Sequence, residues 1–208
     1  MAKKASAAMK AVPANENAAE QTTMKSFTHP VKETDPDFAF GRYWYPDRED
    51  RVGVERWVHD KCVLGDDPKF GHAAKVEVLL PPAAPSDYAN LDFLLQRFDE
   101  TLPPFEKHAL IQAKILLDEE EAWHAGYERV RSFARGHFAG RFPVVLIAHI
   151  PSVGGLAGNG SHVHCVVLSR GLTINGFAGA CTELCSDKGY RSARDAWRAH
   201  KKTWDAAA

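Results

Sequence analysis

The chain has no apolar run near the roughly 18 residues that a membrane-crossing helix needs, which argues against a bilayer span. Cysteine is scarce. The four present, Cys62, Cys165, Cys181 and Cys185, are too few and too unevenly spaced for a disulfide framework in 208 residues, and this predicts a reduced, cytoplasmic setting. Net charge is nearly absent as well: 26 Lys and Arg stand against 27 Asp and Glu, leaving −1. Such a chain has no global field drawing it onto nucleic acid or anionic lipid, so either kind of binding must use a local patch. The start, Met1 to Ser6, leads into Asn15-Glu16-Asn17 where a secretory signal would carry an apolar core.

What is present is an ordinary globular composition, 45% hydrophobic and 25% charged, with enough length for one substantial core. Residues 1–36, rich in Ala, Lys, Glu, Asn and Thr without an apolar period, read as an N-terminal tail, and residues 37–208 as a single α+β domain. From Phe38 to Trp57 the aromatics Phe38, Phe40, Tyr43, Trp44, Tyr45 and Trp57 are interleaved with Arg42, Arg48, Arg51 and Arg56. That mixture serves either core packing or base stacking beside phosphates.

Lys75 to Leu80 alternates and stops at Pro81-Pro82, which predicts a strand. Ser86-Asp87 can cap a helix carrying Leu91, Leu94, Leu95 and Phe98. Ala109 to Leu117 reads as a second strand, followed by a helix whose acidic first turn is Asp118 to Glu121 and whose stripe is Trp123, Tyr127, Val130 and Phe133. Strands at 144–150 and 162–169 come next, then a helix with Ala193, Trp197 and Trp204 surrounded by Arg191, Arg194, Arg198, Lys201 and Lys202. This basic cluster is either a solvated helix face or a nucleic-acid contact. The order predicts a mainly antiparallel sheet with helices packed over one face and the His-x-His element on a central strand.

That element is His162-Val163-His164. On a strand, residues i and i+2 share a face, so both imidazoles project together while Val163 and Cys165 point away. His149 ends the apolar run Val144 to Ala148. If the two runs pair antiparallel through the Gly-rich connection 153–161, three imidazoles converge on one divalent ion with coordination positions left open. The plainer alternative is a set of hydrogen-bonded histidines on ordinary strands.

Taken as a series, these pieces resemble the MobA/MobL class of relaxases, DNA-nicking proteins of plasmid mobilisation. The resembling region runs from Lys75 to about Trp204, and its most specific part is Val144-Val145-Leu146-Ile147-Ala148-His149, a loop, then His162-Val163-His164-Cys165-Val166-Val167-Leu168-Ser169-Arg170. The resemblance implies His149, His162 and His164 as ligands of Mg2+ or Mn2+, and single-stranded or nicked plasmid DNA as substrate. It also implies other mobilisation proteins as partners, and a tyrosine that becomes linked to a 5′-phosphate. Histidine donors favour Mn2+ over Mg2+. The Ala-rich helix that presents the nucleophile in such relatives has no counterpart, since residues 1–25 contain no tyrosine; Tyr43 and Tyr45 are the upstream candidates. A second reading is therefore a nonenzymatic DNA-binding mobilisation accessory protein derived from a relaxase. A third is a structural Zn2+ module using Cys181 and Cys185 with histidine, whose spacing equally fits two buried thiols.

Overall fold

Apolar alternation along six short segments builds one antiparallel sheet. The computed structural model describes residues 24–45, 53–63, 73–151 and 160–206. The strands are β1 (Lys25–His29), β2 (Phe38–Trp44), β3 (Lys75–Leu79), β4 (His108–Leu116), β5 (Val144–His149) and β6 (His162–Leu168), in the order β1-β2-β4-β6-β5-β3. Every pairing is antiparallel, and β6 lies centrally between β4 and β5. A hairpin, β7 (Arg170–Thr173) and β8 (Gly176–Ala180), follows the last strand. The helices are α1 (Val54–Lys61), α2 (Leu91–Glu100), α3 (Trp123–His137) and α4 (Asp187–Asp205).

Helices cover both faces of this sheet, which corrects the expectation of one covered face. Val163, Cys165 and Val167 of β6 turn into a core shared with Tyr127, Val130 and Phe133 of α3 and with Ala193 and Trp197 of α4. Val166 and Leu168 turn the other way, against Val54 and Val58 of α1 and Leu94, Leu95 and Phe98 of α2. The physical reason is in the strands themselves: Val144 to Ala148 is apolar at every position, so both its faces need cover.

Local chemistry moves several helix boundaries. Ser86–Ala89 forms a short 3-10 turn, and it is Asn90 that caps α2, its side chain accepting from the Phe93 amide at 2.9 Å. The acidic run after β4 does not open α3. Asp118 instead accepts from the Glu120 amide at 3.1 Å, a local bond that competes with helix, and α3 begins at Trp123.

The tail boundary also moves. Lys25–His29, inside the stretch expected to be a tail, is the edge strand β1; its side chains are mostly exposed, and its order comes from ladder bonds to β2, which need no apolar period. Residues 1–23 lie outside the described residues. Just before β2, buried Asp35 pairs with Arg198, while Asp37 accepts from Trp197 Nε1 at 2.9 Å and from Lys201 at 2.6 Å. Arg194 pairs with Asp195 at 2.8 Å. Arg198 and Lys201 therefore fasten α4 to the segment before β2 and Arg194 pairs within the helix, while Arg191 and Lys202 are exposed, and α4 lies on the sheet face opposite the histidines. The aromatic segment packs: Phe38, Phe40, Tyr45 and Trp57 are all buried.

Gly53, the residue just before helix α1, has no side chain to cap it. Asp99 of α2 does so from outside the helix, accepting from the amides of Val54 at 2.9 Å and Glu55 at 3.0 Å. A Cβ on Gly53 would lie 2.1 Å from Asp99 Oδ2, so glycine is what lets the carboxylate approach. Asp99→Ala removes this cap, and the expected loss is about 1–2 kcal/mol of stability, read from denaturant unfolding. An unchanged midpoint would show that α1 is held by its apolar face alone.

Candidate metal centre

The register of β5 and β6 assembles the site. His149 sits directly opposite His162, and Ile147 opposite His164, so period-2 alternation puts all three imidazoles on the α1/α2 face, near the end of the strands. The ring centroids form a nearly equilateral triangle, 5.0 Å for His149–His162 and 4.8 Å for each other pair. One nitrogen from each ring lies within 4.8 Å of the others. Ligand nitrogens at about 2.1 Å from a shared ion stand roughly 3–3.4 Å apart, so small ring rotations close the set.

Two backbone carbonyls fix the protonation pattern. His149 Nε2 donates to the Lys61 carbonyl at 2.7 Å, leaving Nδ1 with its lone pair, and His162 Nδ1 donates to the Gly160 carbonyl at 3.0 Å, leaving Nε2. Outer bonds of this kind orient metal-binding imidazoles. His164 is only 5% exposed, and its Nδ1 is buried with no hydrogen-bond partner. Burial disfavours the charged form of all three: His149 is lowered, His162 is pushed down to about 3, and His164 lies well below the ordinary histidine value. The nearby ammonium groups of Lys61 and Lys114 act in the same direction. At neutral pH the centre presents three uncharged imidazoles, the form in which histidine ligates metal, so the residues fit a divalent ion.

The proposed nucleophiles stand elsewhere on the sheet. Tyr45 is 3% exposed and packs in the core beneath α1 and α2. Tyr43 shares the histidine face, but its backbone pairs with Leu110, which pairs with Leu168 of β6. His164 is four residues away along β6, about 13 Å at 3.3 Å per residue, with β4 lying between. The Tyr43 side chain leans back over Gly41, where a Cβ would lie 3.1 Å from its ring and 3.4 Å from its hydroxyl. Glycine at 41 thus lets the phenol point along the strand toward the histidine end. The ring packs on Trp57 at 4.7 Å, and burial raises the hydroxyl to about 12. Arg42, interleaved with these aromatics, faces the other way and pairs with Asp187 at 3.0 Å; Arg48 and Arg51 lie outside the described residues. Tyr127 donates to Glu77 at 2.9 Å on the α3 side.

Cys185 is buried in the α3/α4 core and Cys181 is half-buried beside it. Among the described residues the three histidines form the one group of three potential metal ligands, so the Zn2+ module finds no third donor. The sequence reading missed Gln112 and Lys114, the two polar residues in the interior of β4, which share the histidine face. Their signal was legible: two polar residues at i and i+2 interrupt an otherwise apolar strand.

The lowered histidines set a pH dependence. Below about 6.5 the unfolded chain binds protons that the native imidazoles refuse, so stability falls as pH drops, by up to about 1.4 kcal/mol per pH unit for each such histidine. For His162 the loss continues to about pH 3. Denaturant unfolding of the metal-free protein between pH 7.5 and 5 is expected to show this slope, and His162→Ala a shallower one; identical slopes would contradict the burial argument.

No protein-family model and no curated protein matches this chain. Among solved structures, its fold matches a chain described under "Molecular Basis of Vancomycin Resistance Transfer in Staphylococcus aureus", with a TM-score of 0.52 and 18% identity, over 62% of this chain and 68% of that one. At that identity the two share a fold.

Proposed function

We propose that this protein is a relaxase-type, metal-dependent single-strand DNA endonuclease and transferase of plasmid mobilisation, related to the MobA/MobL class and working in the cytoplasm. The observation that carries the reading is the triangle of three neutral imidazoles on a central sheet face, in a fold shared with a protein of resistance transfer. No helix among the described residues is long and apolar enough to cross a membrane. The substrate is single-stranded or nicked plasmid DNA, with other mobilisation proteins as partners.

His149, His162 and His164 hold the ion, Mn2+ in preference to Mg2+ because every protein donor is nitrogen. When bound, it supplies positive charge that offsets the nonbridging phosphate oxygens and so lowers the repulsion met by an anionic nucleophile. The nucleophile in this reading is Tyr43, with Tyr45 the buried second candidate. Its oxygen forms a bond to phosphorus and the bond from phosphorus to the 3′ oxygen breaks; the phenol gives up its proton and the departing oxygen takes one. The phenol is a weak acid where it stands, at about 12, so nearby positive charge has to favour the phenolate. Substrate binding has to bring the phosphate and the Tyr43 hydroxyl together, because β4 lies between them in this conformation.

The same separation favours a second reading: an accessory protein that retains the sheet and the histidines, binds DNA, and forms no covalent intermediate. Labelled single-stranded origin DNA incubated with the protein and Mn2+ separates the two. A covalent adduct is expected from the wild type and from Tyr127→Phe, and none from Tyr43→Phe. His162→Ala or His164→Ala is expected to weaken Mn2+ binding roughly 10-fold or more by calorimetry while leaving the fold intact. Metal and DNA binding without any adduct would establish the accessory role, and unchanged Mn2+ affinity in both histidine variants would remove the metal centre.

A further inference from the structure

On the histidine face, β4 presents Gln112 and Lys114. Lys114 is paired directly with His164 on one side and with Ala39 on the other, and Gln112 lies between Val166 and Gly41. Their neighbours on β2, Ala39 and Gly41, are small, and the two side chains share the sheet face between Tyr43, whose hydroxyl lies over Gly41, and the imidazole triangle.

Lys114 is half-buried, and among the described residues no carboxylate lies within ion-pair distance of it. Its neighbours on this face are uncharged imidazoles and the ammonium of Lys61, which itself lies over the Trp57 ring at 5.4 Å. Gln112 Oε1 is buried without a hydrogen-bond partner. A half-desolvated cation without a counter-charge is costly to a fold; the orphaned Gln112 oxygen is an acceptor, which a donor and not an anion would satisfy. Among the described residues other charges withdrawn from water have partners: buried Asp35 pairs with Arg198, half-buried Glu77 with Arg131 at 2.7 Å, and buried Arg170, which no carboxylate matches, donates to Thr101 and to the carbonyls of Ala178 and Phe177. Lys114 stands beside the candidate metal centre without a carboxylate. Burial also lowers Lys114, as it does any ammonium left without an anion.

We propose that Lys114, with Gln112 beside it, forms an anion subsite that holds a phosphodiester oxygen of single-stranded DNA next to the histidine centre. This rests on the reading above that the face handles nucleic acid. Lys114 supplies the counter-charge for a phosphate oxygen, and the Gln112 amide nitrogen donates to a second oxygen of the same group. The ammonium is then a binding and positioning group that fixes the phosphate at the open side of the imidazole triangle. A cation so placed disfavours a bare metal ion and favours a metal accompanied by an anion.

The test compares wild type, Lys114→Met and Lys114→Arg against three probes: Mn2+ alone, inorganic phosphate, and a labelled single-stranded oligonucleotide. For Lys114→Met, oligonucleotide affinity is expected to fall about 10-fold, the cost of a charged hydrogen bond. The log-log salt slope should become shallower by about 0.7, one phosphate contact on a single strand. Mn2+ should bind at least as tightly as in wild type, because a neighbouring positive charge is gone. The melting temperature of the metal-free variant should not drop, which separates loss of an anion contact from loss of fold. Lys114→Arg should recover the oligonucleotide slope.

Equal oligonucleotide affinity, salt slope and phosphate binding in wild type and Lys114→Met would overturn the subsite while leaving the DNA-processing reading intact. Loss of Mn2+ binding in Lys114→Met would also overturn it, by assigning Lys114 to the architecture of the histidines. Phosphate binding that depends on Lys114, in a protein with no oligonucleotide affinity, would uphold the subsite and refute the DNA reading.

Discussion

The antiparallel register between β5 and β6 is the constraint on which the rest depends. Shifting it by one residue would send His149 to the α3/α4 core and leave His162 and His164 without their third member, because the side-chain period of a strand is two. What fixes the register is burial on both faces. Val163, Cys165 and Val167 are committed to one core and Val166 and Leu168 to the other, so a slip would exchange the two sets and present His162 and His164 to an apolar interior. His149 and His162 stay partly exposed at the strand ends, where His149 meets the last carbonyl of α1, and buried His164 faces the other two rings.

Helix α1 is therefore more than a cover. Its N-terminus is held by Asp99 of α2, and its last carbonyl, that of Lys61, receives the Nε2 proton of His149. One ring nitrogen is thereby positioned through a chain that runs from α2 through α1 to β5. The opposite side of the molecule is fastened independently. The residues before β2 are clasped to α4 by Asp35 and Asp37, which engages basic side chains that a linear reading would offer to nucleic acid.

Charge distribution, more than total charge, distinguishes the histidine face. A chain with a formal charge of −1 can still build a local cationic region if its ammonium groups are left unmatched in one place. Lys61 and Lys114 do this beside three imidazoles that burial keeps neutral. Tyr43 lies farther along the same face, with its hydroxyl set over Gly41, where no side chain intervenes. The face thus carries two ammonium groups beside a triangle of neutral imidazoles, with a phenol set back from both.

Much of this was determined by the sequence itself. The alternation at Lys75 to Leu79, the apolar run ending at His149 and the His-x-His of β6 specify strands and shared faces because strand periodicity is local physics. The antiparallel α+β class follows from their order. Other features were decided only by tertiary structure. The uniformly apolar Val144 to Ala148 calls for cover on both faces, but which helices supply it, α1 and α2 on one side and α3 and α4 on the other, was decided by packing. The edge strand β1 carries no apolar signal because its order comes from backbone bonds to β2. Whether Arg198 and Lys201 meet solvent, DNA or a carboxylate depends on partners more than 160 positions away in the chain. The distance between Tyr43 and the imidazoles is of the same kind: it is the sum of strand order and register, and neither is written in the residues between them.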